Sequence, residues 1–331
     1  MPAWQISLPP VAATRQPRDM DDIWDCVIIG GGAAGLSAAL VLGRARRRTL
    51  VVDAGEPSNA VAHGIGGLLG HDGRAPAELY AAGRAELTRY PQVQLRTGVV
   101  TDVRRGEQFT VELADGTVEL ARRIVLATGM QYRLQEVPGL AQMWGDAVFH
   151  CPFCHGWEVR DAPVAVLADG ARAVHAGLLL RGWSDDIVVL AGDVGDDRVL
   201  LEAAGILIEG RPVTEVRAAG EGLEVVFADG SVLGRRALMV AASVGQRSAL
   251  AERLGVRFGE PNPLSAEAVW VDEFGRTSVP GVFAAGDVTV ALPQVAAAIA
   301  AGSKVAAAVM QSLLADEFGL PVPAWKEDVN V

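Results

Sequence analysis

Cysteine is scarce in this chain, with three among 331 residues. So few thiols cannot form a stabilising disulfide framework, and a close pair of them would serve redox chemistry or a metal. Positive charge is also in deficit. Twenty-nine Lys and Arg face 40 Asp and Glu, a net charge of -11, which repels a phosphate backbone or an anionic bilayer unless a local basic patch overrides it. The candidate patch, Arg44 to Arg48, ends a predicted helix, where cations offset the negative end of the helix dipole. Nucleic acid is therefore not an expected partner. Long hydrophobic runs are lacking too. The first twenty residues carry Pro2, Pro9, Pro10, Arg15, Pro17 and Arg18 without a continuous apolar core, so residues 1–19 are expected to form a loose arm, neither signal peptide nor span. The most apolar late stretch, Val295 to Ala315, is mostly alanine and is broken by Ser303, Lys304 and Gln311. That suits a buried or dimer-facing helix. The expected setting is the cytoplasm, with no membrane partner.

What is present is a 50% hydrophobic composition over a length sufficient for two domains, each with its own core. Cys26-Val27-Ile28-Ile29-Gly30 reads as a buried strand, Ala33 to Ala45 as a helix and Thr49 to Asp53 as a second buried strand, which together make a βαβ unit. The pattern returns with a strand at Val164 to Ala168, a helix from about Ala171 to Arg181 and a strand at Ile187 to Leu190. Alternating runs beginning at Phe109 and Leu223 each enter a turn, Asp115-Gly116 and Asp229-Gly230, and read as hairpins of small antiparallel sheets. The expected fold class is α/β, with two nucleotide-type modules.

Gly30-Gly31-Gly32-Ala33-Ala34-Gly35 supplies GxGxxG at the first strand-to-helix junction. Gly30 serves the tight turn, Gly32 the close approach of a pyrophosphate and Gly35 the packing of helix on strand. Free backbone N–H groups at the helix start then hold the anion. Asp53 ends the next strand, where a carboxylate accepts from ribose hydroxyls and repels a 2'-phosphate; the pattern asks for an adenosine without one, as in FAD or NAD.

The other two thiols lie in His150-Cys151-Pro152-Phe153-Cys154-His155. Three rival readings attach to this run. The string CxxCH marks covalent haem attachment in exported proteins, but no export signal is legible and a nucleotide fold surrounds it. Structural zinc needs four ligands; Cys26 is committed to a strand, and His150 and His155 are cramped, so no metal is expected. Inert buried thiols are disfavoured by the flanking histidines, since a nearby imidazolium lowers a thiol pKa. A redox-active pair remains.

Ala127-Thr128-Gly129 and Gly281 to Asp287 look like the paired segments that cross under the nucleotide in two-domain flavoprotein reductases. With Gly30 to Gly35, and Cys151 to Cys154 just before the second βαβ unit, the chain resembles the low-molecular-weight thioredoxin reductase family from about Asp21 to about Phe318. The resemblance implies a two-domain fold: a Rossmann-type FAD-binding domain, residues 20–131 and 245–331, with an inserted NAD(P)-binding-like domain, 132–244, that carries the CxxC. The crossings fall near Gln131-Tyr132 and Val244-Gly245. It implies FAD held by Gly30, Gly32, Ala33, Ala34, Gly35, Asp53, Ala127, Thr128, Gly129, Gly286 and Asp287, and by Gln294 and Val295 at the start of a helix aimed at the flavin ring. It further implies a homodimer, with Cys154 facing the flavin and Cys151 exchanging with outside thiols.

Two departures from the family pattern redirect the expectation. The family carries an aspartate after the second cysteine; here stands His155, which titrates near neutrality and can take a proton from an incoming thiol. Cys151, Cys154 and His155 are the candidate catalytic residues, with His150 as a second candidate base and His175 read as a surface or packing residue. The second nucleotide fingerprint is Ala168-Asp169-Gly170-Ala171-Arg172-Ala173, in which Asp169 would set a carboxylate beside a pyrophosphate. No arginine pair follows Asp193 for a 2'-phosphate, so NADPH binding is doubtful. Together these features look most like the flavin dithiol oxidases of holomycin- and gliotoxin-type biosynthesis. That branch implies an enzyme that closes an intramolecular disulfide in a small dithiol and passes electrons to O2. The alternatives are a thioredoxin reductase fed by NADPH or another donor, and a non-catalytic redox-sensing flavoprotein.

Overall fold

The computed structural model describes residues 23–289 and 293–325; the predicted arm, 1–19, lies outside the described residues. Strand Cys26–Ile29 is buried on both faces at the centre of a five-stranded sheet in the order 282–284, 124–126, 26–29, 49–53, 93–97. Every neighbouring pair in it is parallel. Alternation divides the strand's side chains between two cores. Cys26 and Ile28 meet the helices Ala33–Arg44, Pro76–Leu87 and Val295–Phe318, while Val27 and Ile29 meet a four-stranded sheet built from residues 23–24, 118–121, 109–113 and 100–104. A continuous apolar run is what a doubly covered parallel strand requires.

The second module repeats this three-layer plan. Its sheet, ordered 148–149, 237–240, 164–167, 187–190, 207–209, is parallel throughout. Helix Gly170–Leu180 covers one face, and the antiparallel strands 213–219, 222–227 and 232–235 cover the other. Both Asp-Gly turns form as expected, with Gly116 at φ +84° and Gly230 at φ +83°.

The chain leaves the first module through strand Met130–Arg133 and returns through Ser243–Gln246. These strands pair antiparallel, Tyr132 opposite Val244 and Gln131 opposite Gly245, so the two crossings read from the sequence face each other in one ladder. Helix Val295–Phe318 is long and apolar enough to cross a membrane by length and composition. It buries Ala298, Gly302, Val305, Ala306, Val309 and Leu313, a spacing of three and four that lays one stripe on the protein core. It ends at Gly319, whose left-handed φ of +66° closes the last turn.

Candidate active site

Parallel order sets the C-terminal ends of strands 282–284, 124–126 and 26–29 side by side, and each runs into a glycine-containing loop. Crowding explains the glycines. A Cβ on Gly30, at φ +108°, would stand 2.2 Å from the Ala127 carbonyl oxygen; on Gly35, 1.9 Å from that of Gly30; on Gly286, 2.9 Å from the Ala34 Cβ. Gly32 has nothing within 4 Å and opens on a cavity of about 550 Å³ lined by all three loops. Helix Ala33–Arg44 starts there without a side-chain cap, which leaves its first N–H groups available to an anion.

Asp53 lies in the same wall with more partners than the sequence suggested. Its Oδ1 accepts from the N–H groups of Gly31 and Gly55, both at 3.1 Å, and its Oδ2 accepts from Arg84 at 3.0 Å. Gly31 was not among the predicted site residues. A Cβ there would meet the Asp53 carboxylate at 2.5 Å, so this glycine admits the acid. Arg84 was missed as well, because a lone arginine in helix Pro76–Leu87 carries no motif.

Asp287, past the crowded Gly286, is a half-buried carboxyl that burial raises to about 6, and no side chain among the described residues hydrogen-bonds to it. Gln294 and Val295 line the cavity where helix Val295–Phe318 begins, again without a side-chain cap. These groups fit FAD. The glycine loop is open where a pyrophosphate would come, Asp53 and Asp287 offer acceptors to ribose and ribityl hydroxyls, and the second helix start faces the remaining space. A cavity of this size is typical of cofactor sites.

Cys151 and Cys154 line that same cavity and are disulfide-bonded, their Cα atoms 5.3 Å apart. Cys151 begins the short helix Pro152–His155, with the N–H groups of Cys154 and His155 donating to its carbonyl. The loop between strand Thr49–Asp53 and helix Pro76–Leu87 crosses to the second module here. A Cβ on Gly66 would come 2.6 Å from the Cys154 carbonyl oxygen, and one on Gly145 would strike the Val61 side chain at 2.5 Å. This strap was not legible in the sequence.

His155 stacks on Phe149 with centroids 5.2 Å apart and lines the cavity beside both cysteines. Burial lowers its pKa, opposed by the charges of Glu158 and Asp146 and by a hydrogen bond to the Asp146 backbone. His150 packs between Tyr132 and Trp144, with centroids at 4.4 and 5.4 Å. Its buried Nε2 has no hydrogen-bond partner among the described residues, and burial lowers its pKa to about 4. His150 is thus a neutral packing residue and a poor base, whereas His155 keeps nearby carboxylates. His175 is exposed on helix Gly170–Leu180. Cys26 is fully buried, and burial pushes its thiol well up, as suits an inert core residue. Among the described residues no three His, Cys, Asp or Glu side chains cluster as a metal site would need.

At the second nucleotide fingerprint the polar side chains bond to the surrounding backbone. Asp169 Oδ1 accepts from the Gly192 N–H at 3.0 Å, Asp193 Oδ1 from the Gly195 N–H at 2.8 Å, and Arg172 donates to the Ala242 carbonyl at 2.7 Å. The first of these N–H groups is engaged by a carboxylate at the mouth of the βαβ turn.

Two parallel α/β modules sharing a flavin cavity and a disulfide define a two-domain flavin disulfide oxidoreductase with a thioredoxin-reductase-like fold. The sequence profile of the pyridine nucleotide-disulphide oxidoreductase family matches residues 24–302, and the chain belongs to that family, whose members bind FAD. Thioredoxin reductase tcpT of Claviceps purpurea is 33% identical, covering 89% of this chain and 96% of that protein. Thioredoxin reductase sirT of Leptosphaeria maculans is also 33% identical, covering 85% and 91%. The crystal structure of HlmI is 39% identical with a TM-score of 0.83, covering 89% of this chain and 93% of that one. An oxidoreductase from Agrobacterium tumefaciens is 38% identical with a TM-score of 0.83, covering 88% and 98%. The family read from the sequence, including its holomycin- and gliotoxin-type branch, is met.

Proposed function

We propose that the protein is a dithiol oxidase: it closes an intramolecular disulfide in a small natural-product dithiol, with O2 as acceptor and hydrogen peroxide as product. The observation that carries this reading is the contrast between its two nucleotide sites. The first opens on the Cys151/Cys154 pair, while the second carries the Asp169 carboxylate, bonded to the Gly192 N–H, and an Arg172 tied to the Ala242 carbonyl, which favours electrons entering through the cysteines over entry from NADPH. A substrate thiol gives its proton to His155 and attacks Cys151; the Cys151–Cys154 bond breaks with its electron pair on Cys154. The second substrate thiol displaces Cys151, which keeps that thiol's proton, and the cyclic disulfide leaves. Bound FAD supplies a two-electron acceptor for the reduced pair and passes the electrons to O2.

The test is oxygen uptake with dithiothreitol as a small dithiol. Wild type is expected to turn over and Cys154→Ser to fall at least about a thousandfold, as when the group that carries the chemistry is removed; a serine variant at the wild-type rate overturns the scheme. Anaerobic NADPH is expected to leave the flavin yellow. Rapid bleaching would instead favour an NADPH-fed thioredoxin reductase, the name borne by several relatives. Failure of any dithiol to turn over would favour the redox sensor.

A further inference from the structure

His155 stands between two cavities. On one side it lines the large cavity with both cysteines. On the other it closes, together with Cys154, a smaller cavity of about 180 Å³ whose wall also carries His63, Asp146, Glu158 and Arg236. The smaller space lies toward solvent: His63 and Asp146, an ion pair at 3.5 Å, are 79% and 67% exposed, and Glu158 is exposed. A base that takes a thiol proton in every turnover must also release it, and a site filled by flavin and substrate holds little water to receive it. The large cavity is therefore a poor exit.

We propose that the small cavity is the proton exit of the dithiol reaction, with Glu158 the positioning residue that holds the protonated His155 ring and draws its proton to solvent. This rests on the reading of His155 as the base that meets the substrate thiol. The groups facing His155 come from every element around it: Cys151, Cys154 and Glu158 from its own segment, the Phe149 ring beneath it, Asp146 from the preceding turn, His63 from the strap of the first module and Arg236 from the turn before strand Ala237–Val240. Arg236 donates to the Glu221 carbonyl, and His63 is paired with Asp146. Glu158 forms no ion pair within 4 Å among the described residues, and its charge, like that of Asp146, favours the His155 imidazolium. Of the two substrate protons, one ends on Cys151 and one leaves through His155, so each dithiol consumed sends one proton through this path.

The test uses the FAD-loaded full chain, with anaerobic bleaching of the flavin by excess dithiothreitol followed from about pH 5.5 to about pH 8.5, the range in which a histidine titrates. Wild type is expected to show a rate that rises with pH along a limb set by His155. Glu158→Gln removes the charge that favours the imidazolium, so the limb should move to lower pH by roughly half a unit, with a plateau roughly threefold lower because the base is weaker. Glu158→Asp should restore the wild-type limb. The chain has five histidines, so the His155 ring proton can be assigned with His155→Gln and titrated by NMR; it should move down in Glu158→Gln by the same amount. If Glu158→Gln leaves both limb and titration unmoved while His155→Gln removes the limb, the proton exit is overturned and the base stands. If His155→Gln keeps the limb, the base itself is overturned and the exit with it.

Discussion

At the scale of single residues, Asp287 shows how a cofactor site is held at a cost to the empty fold. Burial raises its carboxyl from 3.8 to about 6. A folded-state acid with a raised pKa is favoured while protonated, so the stability present below about pH 4 is lost as pH rises toward and through about 6. With the carboxylate ionised, that loss is up to about 3 kcal/mol, less what partial solvent exposure screens, and a hydroxyl donor on a bound flavin would offset it. Asp287→Asn is therefore expected to melt higher than wild type at pH 7 once the flavin is stripped, and to melt no higher at pH 4. The same substitution is expected to weaken flavin retention roughly tenfold, the worth of one charge-assisted hydrogen bond. Melting curves at the two pH values and flavin release on ultrafiltration check both; a lower melting point for the variant at pH 7 would contradict the burial argument. The identity of Asp287 was legible in the Gly286-Asp287 motif, but its shifted pKa was not, because burial depends on chain segments distant in sequence.

Among elements, the contact between helices Ala33–Arg44 and Val295–Phe318 anchors the nucleotide loop. Gly302 lets the two backbones approach, since a Cβ there would lie 2.0 Å from the Ala34 carbonyl oxygen. Ala34 also touches Gly286, so a shift at Gly302 would reach the cofactor loop directly. Gly302→Val should force the helices apart, destabilise the protein by roughly 1–3 kcal/mol as overpacking does, and loosen flavin binding in the same variant. Thermal melting with parallel measurement of flavin content tests the coupling; a variant that melts lower with flavin content unchanged would separate the contact from the site. Composition marked the later helix as buried or dimer-facing, and its period of three and four is readable. Its partner is not, because Gly302 meets Ala34 across 268 positions of chain, and no local pattern carries that pairing.

At the scale of the whole molecule, the two modules are joined by the Met130–Arg133 and Ser243–Gln246 ladder and by the strap that sets Gly66 on Cys154 and Val61 on Gly145. These contacts hold the disulfide in the flavin cavity. Small-angle scattering of the oxidised and the dithiothreitol-reduced protein is therefore expected to give superposable curves, and a change in the radius of gyration on reduction would show that the modules swing. The sequence by itself determined the βαβ units, the Asp-Gly hairpins, the glycine loop and the CxxC with its histidine, because each is written in neighbouring residues by periodicity, turn chemistry or spacing. Only the tertiary structure decided that Gly31 admits Asp53, that Arg84 completes that corner, that Gly66 straps the dithiol, that His150 is a neutral packing residue while His155 faces two cavities, and that Asp169 and Arg172 bond to the Gly192 and Ala242 backbone. Those properties arise from burial and from contacts between distant segments, and solvation and Coulomb energy follow distance in space, which local sequence does not encode.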